Sequence, residues 1–347
     1  MLIPFSTAFG LLDVAGAIAV WPPMSFVIGL VAAATVVAIR ANTSGGSERA
    51  GLIGARGSSL RRRYLGEHAT LSIAGASVAL GFVVEFLFRG YVWNGSGTSW
   101  WRVAAPLVVA LVGVAATLAV IRTRGSGSPE RPVSPPIRRS WISFSSRGAL
   151  IALALTAVAV AATTIAAGIA SSPNAEGEWV WLVVPIPNAP DVDPLRVTFY
   201  GWVYGVPALI TLALLVITAW RGLDRSAARS FLRPEAVAIE RAARRRTAGS
   251  IVMLSTGAAL IALAAAWRLV GNAGSTTTLT IEDASGAATY DVAWRFAELA
   301  SLAGAAAPIV EIIGLCLLLV VAGSLVPSAV EAVAPAPATS TDVGYAR

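Results

Sequence analysis

The chain has 347 residues, of which 56% are hydrophobic and only 13% are charged. A soluble protein of this length carries roughly twice that charged fraction, so the composition excludes an ordinary soluble domain. The formal net charge is +7, but the basic residues cluster in short segments between apolar runs, a distribution that excludes a nucleic-acid-binding surface.

Several kinds of chemistry are excluded by residues that the sequence lacks. All 26 basic residues are arginine, a usage typical of a GC-rich genome, so neither a Schiff-base lysine nor a Walker A lysine exists. His68 is the only histidine and Cys316 the only cysteine. A bis-histidine haem, a zinc site or an intramolecular disulfide therefore cannot be built from this chain alone. We expect no cofactor and no metal, and we favour a role without catalytic activity of its own.

Apolar runs of about 20 residues, each long enough to cross a hydrocarbon core of roughly 30 Å, recur along the chain. They predict an all-α integral membrane protein, a bundle of eight transmembrane helices built from helical hairpins. The predicted spans are 2–20, 23–39, 69–88, 103–121, 148–170, 200–220, 249–270 and 297–326. Seven spans are the alternative, because the first run contains Pro4 and Asp13 and has no flanking basic cluster.

The arginines set the expected orientation. Twenty-one of the 26 fall in loops on one side of the predicted bundle or in the C-terminal tail. By the positive-inside rule this side is cytoplasmic, which places both termini in the cytoplasm of a bacterial cell and the protein in its inner (plasma) membrane. The tail, 328–347, is rich in Ala, Pro, Ser and Thr and is predicted to be disordered.

The third cytoplasmic loop, 221–247, differs from the flexible Gly- and Ser-rich loops before it. Its arginines recur every fourth residue from Arg221, while Leu223, Ala227 and Phe231 recur on the opposite face, as in an amphipathic helix. Pro234 suits the first turn of a second helix, 235–246, that leads into the seventh span. Such a basic helix binds either the anionic lipids of the inner leaflet or a protein partner. The predicted docking residues are Arg221, Arg225, Arg229, Arg233, Arg244, Arg245 and Arg246.

Two loops on the other side are long enough to fold. Residues 276–292 read as a β-hairpin, with a Thr-rich strand, a turn around Gly286 and a returning strand that contains Tyr290. We expect the loops 171–199 and 271–296 to form a small extracytoplasmic cap, either as separate elements or with one short sheet shared between them. The loop 171–199 also contains Asp191-Val-Asp193, a weak metal-nucleotide signature that leaves an enzyme on lipid-linked substrates as a distant alternative.

Ionisable residues inside the predicted spans are the candidates for chemistry. Asp13 and Glu311 lie near the middle of theirs, where a charge costs about 2.5–3.5 kcal/mol on insertion scales. Pro308, one turn before Glu311, loosens the helix, so the two acids are predicted as an ion or proton site. The alternative is an acid that only helps helices to pack. Arg102 and Arg268 lie at the predicted rim, where reaching to the headgroups explains them.

Helix spacing adds two local predictions. Glu85 and Arg89 have the i,i+4 spacing of a surface ion pair. The small pairs Ser77/Gly81 and Ala300/Gly304 mark faces on which helices can approach closely.

These patterns favour a membrane-embedded subunit of a multi-component transporter or export system. Its energy would come from an ATPase on a separate chain, docked near 221–246. An accessory or sensor subunit without catalysis is the first alternative, and an ion-coupled carrier using Glu311 and Asp13 is the second.

Overall fold

A computed structural model describes residues 22–43, 57–91, 99–124, 140–187, 191–231, 237–283 and 286–325. Within these ranges the chain forms seven α-helices and five short strands. The helices are α1 (Pro22–Thr43), α2 (Gly57–Tyr91), α3 (Trp101–Arg124), α4 (Arg147–Ala170), α5 (Trp202–Ala228), α6 (Val237–Gly274) and α7 (Ala297–Ala322).

The helices form a bundle with two different ends. The strands follow α4 and α6 and precede α5 and α7, so they all lie at one end, here called the strand end. At the opposite end, here called the arginine end, α5 finishes and α6 begins, close to the start of α2. Every helix connects these two ends.

Helix α6 is the centre of the bundle and packs against α2, α3, α4, α5 and α7. Its 38 residues give it a length of about 57 Å at 1.5 Å per residue. That is longer than the roughly 30 Å of a hydrocarbon core. The first turns of α6 carry the exposed Arg241, Arg245 and Arg246 at the arginine end, while its Ala-, Gly- and Ser-rich middle is almost completely buried.

Glycines allow α6 and the antiparallel α7 to approach closely at two points. A Cβ added at Gly271 would lie 2.6 Å from the Cα atom of Gly304, and one added at Gly257 would lie 3.0 Å from the carbonyl oxygen of Gly314. The predicted close-approach face containing Ala300 and Gly304 is thus packed against α6. Near-contact of two backbones without side chains between them is the usual packing device of helices in lipid.

We expect Gly271→Ala to lower the free energy of unfolding by about 1–3 kcal/mol, because the added methyl group must push α7 away from α6. Gly249→Ala in the same helix is the matched control. A Cβ there meets nothing within 4 Å, so the change should be neutral or stabilise the helix by about 0.5–1 kcal/mol. Thermal unfolding of the purified protein in detergent measures both, and equal unfolding midpoints would contradict the close packing at Gly271.

The surface of the bundle is apolar along the helices. Six described helices are long and apolar enough to cross a membrane, and α1 contains a shorter apolar stretch, Met24–Ile39. Large aliphatic side chains are exposed on their outer faces, among them Val31, Leu80, Val112, Leu155 and Ile169. An exposed apolar surface of this extent is what contact with lipid requires. The fold is therefore helical and consistent with a multi-pass membrane protein.

Two small sheets lie at the strand end. Strands β1 (Ser172–Pro173), β2 (Trp179–Val184) and β3 (Leu195–Thr198) form an antiparallel sheet in the order β1-β2-β3. Strands β4 (Thr278–Asp283) and β5 (Gly286–Asp291) pair antiparallel as a separate hairpin, with Leu279 opposite Tyr290. The described parts of the two loops thus build two sheets, not one shared sheet.

Buried aromatic residues connect the three-stranded sheet to the helices. Phe199 and Tyr200 are both fully buried after β3, and the Phe199 ring meets Trp294 edge to face at 5.6 Å. The Tyr200 hydroxyl lies 3.0 Å from that of Thr164 on α4. Burial raises the pKa of Tyr200 to about 12, so this hydroxyl stays protonated at neutral pH.

The helices differ from the predicted spans mainly at the arginine end. Helix α2 begins at Gly57, not Ala69, and α5 continues to Ala228, past the predicted end at 220. The predicted helix 235–246 and the seventh predicted span are one helix, because α6 runs without a break from Val237 to Gly274. The first predicted span, 2–20, and the tail, 328–347, lie outside the described residues.

Candidate functional site

A cavity of about 550 Å³ opens between α2, α3, α6 and α7 in the half of the bundle nearer the strands. Its mouth is formed by residues at the strand-end termini of the helices, including Trp101 on α3 and Asn272 on α6. Its floor reaches Glu311, near the middle of α7. The cavity contains two arginine–carboxylate pairs, one near the mouth and one at the floor.

The floor pair joins α6 to α7. The Nε atom of Arg268 donates to Oε2 of Glu311 over 2.8 Å. Because the Cα–Cβ bond of each helical residue tilts toward the N-terminus of its own helix, the two side chains lean toward each other from antiparallel helices. Both residues line the cavity, but only 3% of the Glu311 side chain is exposed, against 22% for Arg268, so Arg268 is the more accessible member of the pair.

Helix α1 closes the site behind Glu311. A Cβ at Gly29 would lie 2.9 Å from the Cβ atom of Leu315, which sets α1 directly against α7. Since both helices run from the strand end to the arginine end, Ser25 lies level with Glu311, one turn before that contact. Ser25 is fully buried and adds a hydroxyl to the surroundings of the carboxylate.

The mouth pair joins α2 to α3. The Nε atom of Arg102 lies 2.9 Å from Oε1 of Glu85, and 31% and 26% of these side chains are exposed. The side chain of Arg89, the predicted local partner of Glu85, lies outside the described residues, and the salt bridge described for Glu85 goes to the first turn of the next helix. Arg102 and Arg268, explained from sequence by their position at the rim, instead both line the cavity.

The walls of the cavity between the two ion pairs are apolar. Val78, Phe82, Val109 and Leu269 provide the apolar surface. A Cβ added at Gly81 would meet nothing within 4 Å, so the Ser77/Gly81 face predicted for close helix packing borders open space. A polar floor, a polar mouth and apolar walls are typical of a site for a small amphipathic molecule.

At the arginine end, a second buried cluster locks three segments together; we call it the ion-pair network. Its side chains are Tyr64 and Glu67 on α2, Arg229 after α5, and Glu240, Arg244 and Thr247 on α6. Glu67 accepts from Arg229 over 2.7 Å through one oxygen and from Thr247 over 3.2 Å through the other. The side chains of Glu67 and Arg229 are 0% and 6% exposed.

Arg244 completes the network by capping the end of α5. It is fully buried and donates to the carbonyl oxygens of Arg229 and Ser230 over 2.7 and 2.8 Å. Carbonyl groups at the C-terminal end of a helix lack intrahelical N–H donors, and the Arg244 guanidinium supplies N–H donors to them. The same group lies 3.2 Å from Glu240 and 4.5 Å from the centre of the Phe231 ring.

The predicted docking arginines therefore divide into two groups. Arg229 and Arg244 are buried in the ion-pair network and cannot reach an external partner. Arg221, Arg225, Arg245 and Arg246 are exposed at the arginine end, and Arg241 joins them there. Arg233 lies outside the described residues.

The other predicted site residues are not gathered into one place. Asp13 lies outside the described residues, so of the predicted site of Asp13 and Glu311 the structure describes only Glu311. Asp191 and Asp193 are both exposed just before β3. No group of three or more His, Cys, Asp or Glu side chains with metal-binding geometry occurs in the part of the chain that the structure describes.

The chain thus belongs to the class of helical proteins whose outer surface is compatible with a membrane. A cavity with two ion pairs lies between its helices. Comparison with protein-family models, with curated proteins and with solved structures finds no match for this chain.

Proposed function

We propose that this chain is the membrane-embedded subunit of a multi-component transporter, and that the cavity between α2, α3, α6 and α7 receives the transported solute. The observation that carries the proposal is the Arg268–Glu311 pair at the cavity floor. Charged side chains within a membrane-length helix are costly, and they are retained where they line a pathway or bind a ligand.

The distribution of polar groups supports a role of the Arg268–Glu311 pair in a solute pathway more than a purely structural role. A pair that served only to hold α6 to α7 would be as well replaced by packed aliphatic side chains. Here the pair adjoins about 550 Å³ of open volume that also contains the Arg102–Glu85 pair. The ion-pair network at the arginine end closes the bundle on the other side, which suits a form open only at the strand end.

Orientation and energy source complete the proposal. The excess of arginine at the arginine end favours a cytoplasmic location for that end and an extracytoplasmic cap made by the two sheets. With no lysine to form a Walker A site, the energy would come from an ATPase on a separate chain. The exposed arginines Arg221, Arg225, Arg241, Arg245 and Arg246 form the surface on which this partner, or anionic lipid, would dock.

Purification of the tagged protein in mild detergent, followed by mass spectrometry of co-eluting chains, tests the proposal. We expect an ATPase subunit near stoichiometry, and we expect it to be lost from the Arg225→Glu/Arg245→Glu variant. The control is Arg295→Glu, which reverses an exposed charge at the strand end and should retain the partner. Elution of the protein alone from native membranes would contradict the multi-component reading.

An ion-coupled carrier is the second candidate, favoured by the burial of Glu311 in the middle of α7. In that case the purified chain alone, reconstituted in vesicles loaded with a pH-sensitive dye, should move protons down an imposed gradient. Glu311→Gln should abolish the flux, while Glu298→Gln, an exposed acid in the first turn of α7, should not. Proton flux through the purified chain without any partner would favour an ion-coupled carrier over a transporter subunit.

A further inference from the structure

We propose that the ligand of this cavity is an amphipathic anion, a carboxylate or phosphate attached to an apolar portion, and that Arg268 is the residue that anchors its charge. This inference rests on the proposed function, which makes the cavity a solute site, and it names the chemical class of that solute. The cavity exposes different charges at its floor and at its mouth.

At the floor, the exposed charge is positive. Arg268 and Glu311 both line the floor, but Glu311 is nearly inaccessible, so a ligand that reaches the floor can contact more of Arg268 than of Glu311. A guanidinium has five N–H donors in a planar fork that matches the oxygens of a carboxylate or phosphate. A cation at this depth would lie beside the positive charge of Arg268, while little of the Glu311 carboxylate is accessible to attract it.

At the mouth, the two charges are exposed to similar extents, so this part of the cavity is closer to neutral. Arg102 and Glu85 are within hydrogen-bonding distance of each other and both face the opening. An entering anion can be guided by Arg102 without being held there. The accessible charge of the cavity therefore favours anions more strongly at the floor than at the mouth.

The walls require the ligand to carry apolar surface as well. Phe82, Val78, Val109 and Leu269 line the space between the two pairs, and Gly81 leaves room beside them. A bare inorganic anion would leave most of these side chains facing unoccupied volume or water. The volume lies within the range of about 300–1,000 Å³ found for small-molecule sites.

The same chemistry could come from a dissolved solute or from the headgroup of an anionic lipid. Both carry an anionic group and apolar atoms, and the cavity is lined by membrane-length helices. The experiment must therefore separate the two sources as well as test the charge.

The test uses protection of a cysteine placed in the cavity. The native thiol is removed by Cys316→Ala, Ser77→Cys is introduced in the wall, and the protein is placed in phosphatidylcholine nanodiscs. The alkylation rate with N-ethylmaleimide is measured with 2-naphthoate and with its neutral counterpart 2-naphthalenemethanol. We expect naphthoate to slow the alkylation and the alcohol to have little effect.

Removal of the anchor should abolish the difference between the two probes. The variant is Arg268→Gln/Glu311→Gln, which removes both charges and leaves no isolated carboxylate in the bundle. We expect the concentration of naphthoate that gives half protection to rise about tenfold or more, the effect of losing one charge-assisted contact. Arg196→Gln, an exposed arginine on β3 outside the cavity, should leave protection unchanged.

Nanodiscs that contain phosphatidylglycerol distinguish the source. A lipid ligand would protect Ser77→Cys there without added naphthoate, whereas a dissolved solute would leave the rate equal in both lipids. Equal protection by the alcohol, full protection in the double variant, or no alkylation of Ser77→Cys at all would overturn the inference. A co-eluting ATPase would still support the proposed function in each of these cases, so the two failures are distinguishable.

Discussion

Glu67→Ala is expected to be among the most destabilising single substitutions in the described chain. It removes both contacts of Glu67 and leaves Arg229, only 6% exposed, without its carboxylate in the ion-pair network. Breaking a buried pair by deleting one partner costs about 3–5 kcal/mol, because the remaining charge stays buried and loses the carboxylate that offset its desolvation. Thermal unfolding in detergent should show a midpoint lower by several degrees.

Two controls test whether the loss of stability in Glu67→Ala comes from the buried charge of Arg229. Glu67→Leu/Arg229→Met replaces the pair by apolar side chains of similar length and should recover most of the stability. Arg225→Met, one turn before Arg229 but exposed, should change the free energy of unfolding by no more than about 0.5 kcal/mol. If Glu67→Ala behaves like Arg225→Met, the network does not hold the arginine end together.

The floor pair of the cavity should respond asymmetrically to its two deletions. Arg268→Gln leaves Glu311, 3% exposed, without its cation in the middle of the bundle, with an expected cost of about 3–5 kcal/mol. Glu311→Gln leaves Arg268, which faces the cavity and can be solvated there, so the expected cost is smaller, about 1–2 kcal/mol. The order of the two unfolding midpoints is the measurement.

The mouth pair is the matched control for this asymmetry. Arg102 and Glu85 are exposed to similar extents, so Arg102→Gln and Glu85→Gln should each cost about 0–1 kcal/mol, with no clear order. Equal costs for Arg268→Gln and Glu311→Gln would mean that both members of the floor pair are equally accessible, and the floor would then not select anions.

The sequence predicts the helical architecture well because apolar run length and arginine placement are local properties. The six long apolar helices lie where runs of about 20 apolar residues occur. Glu311 was also found from sequence, since a carboxylate in the middle of an apolar run is visible without knowing its neighbours. Its partner was not, because Arg268 is 43 residues away and its position at the rim has a simpler explanation.

The arginine stripe shows a different limit. A repeat of four predicts which residues share a helix face but not whether that face is exposed. Arg225 and Arg229 belong to the same stripe, yet α5 ends at Ala228 and Arg229 has an extended ψ of 141°. Its side chain therefore leaves the exposed face and pairs with Glu67, a contact across 162 residues that no local pattern indicates.

The same holds for the small residues on α2. Ser77 and Gly81 have the spacing of a close helix contact, but their face borders the cavity. Spacing alone cannot distinguish a face on which another helix packs from one left open for a ligand, since both require small side chains.

Side-specific alkylation tests most directly whether the cavity opens at the strand end while the arginine end is closed. In the Cys316→Ala chain, Ser77→Cys reports the cavity, and Ser226→Cys reports the buried interior near the ion-pair network. A membrane-impermeant thiol reagent added to the extracytoplasmic face of oriented vesicles should modify Ser77→Cys, and the reagent should modify Ser226→Cys from neither face. Modification of Ser77→Cys only from the cytoplasmic face, or of Ser226→Cys in the otherwise unaltered chain, would contradict the proposed arrangement.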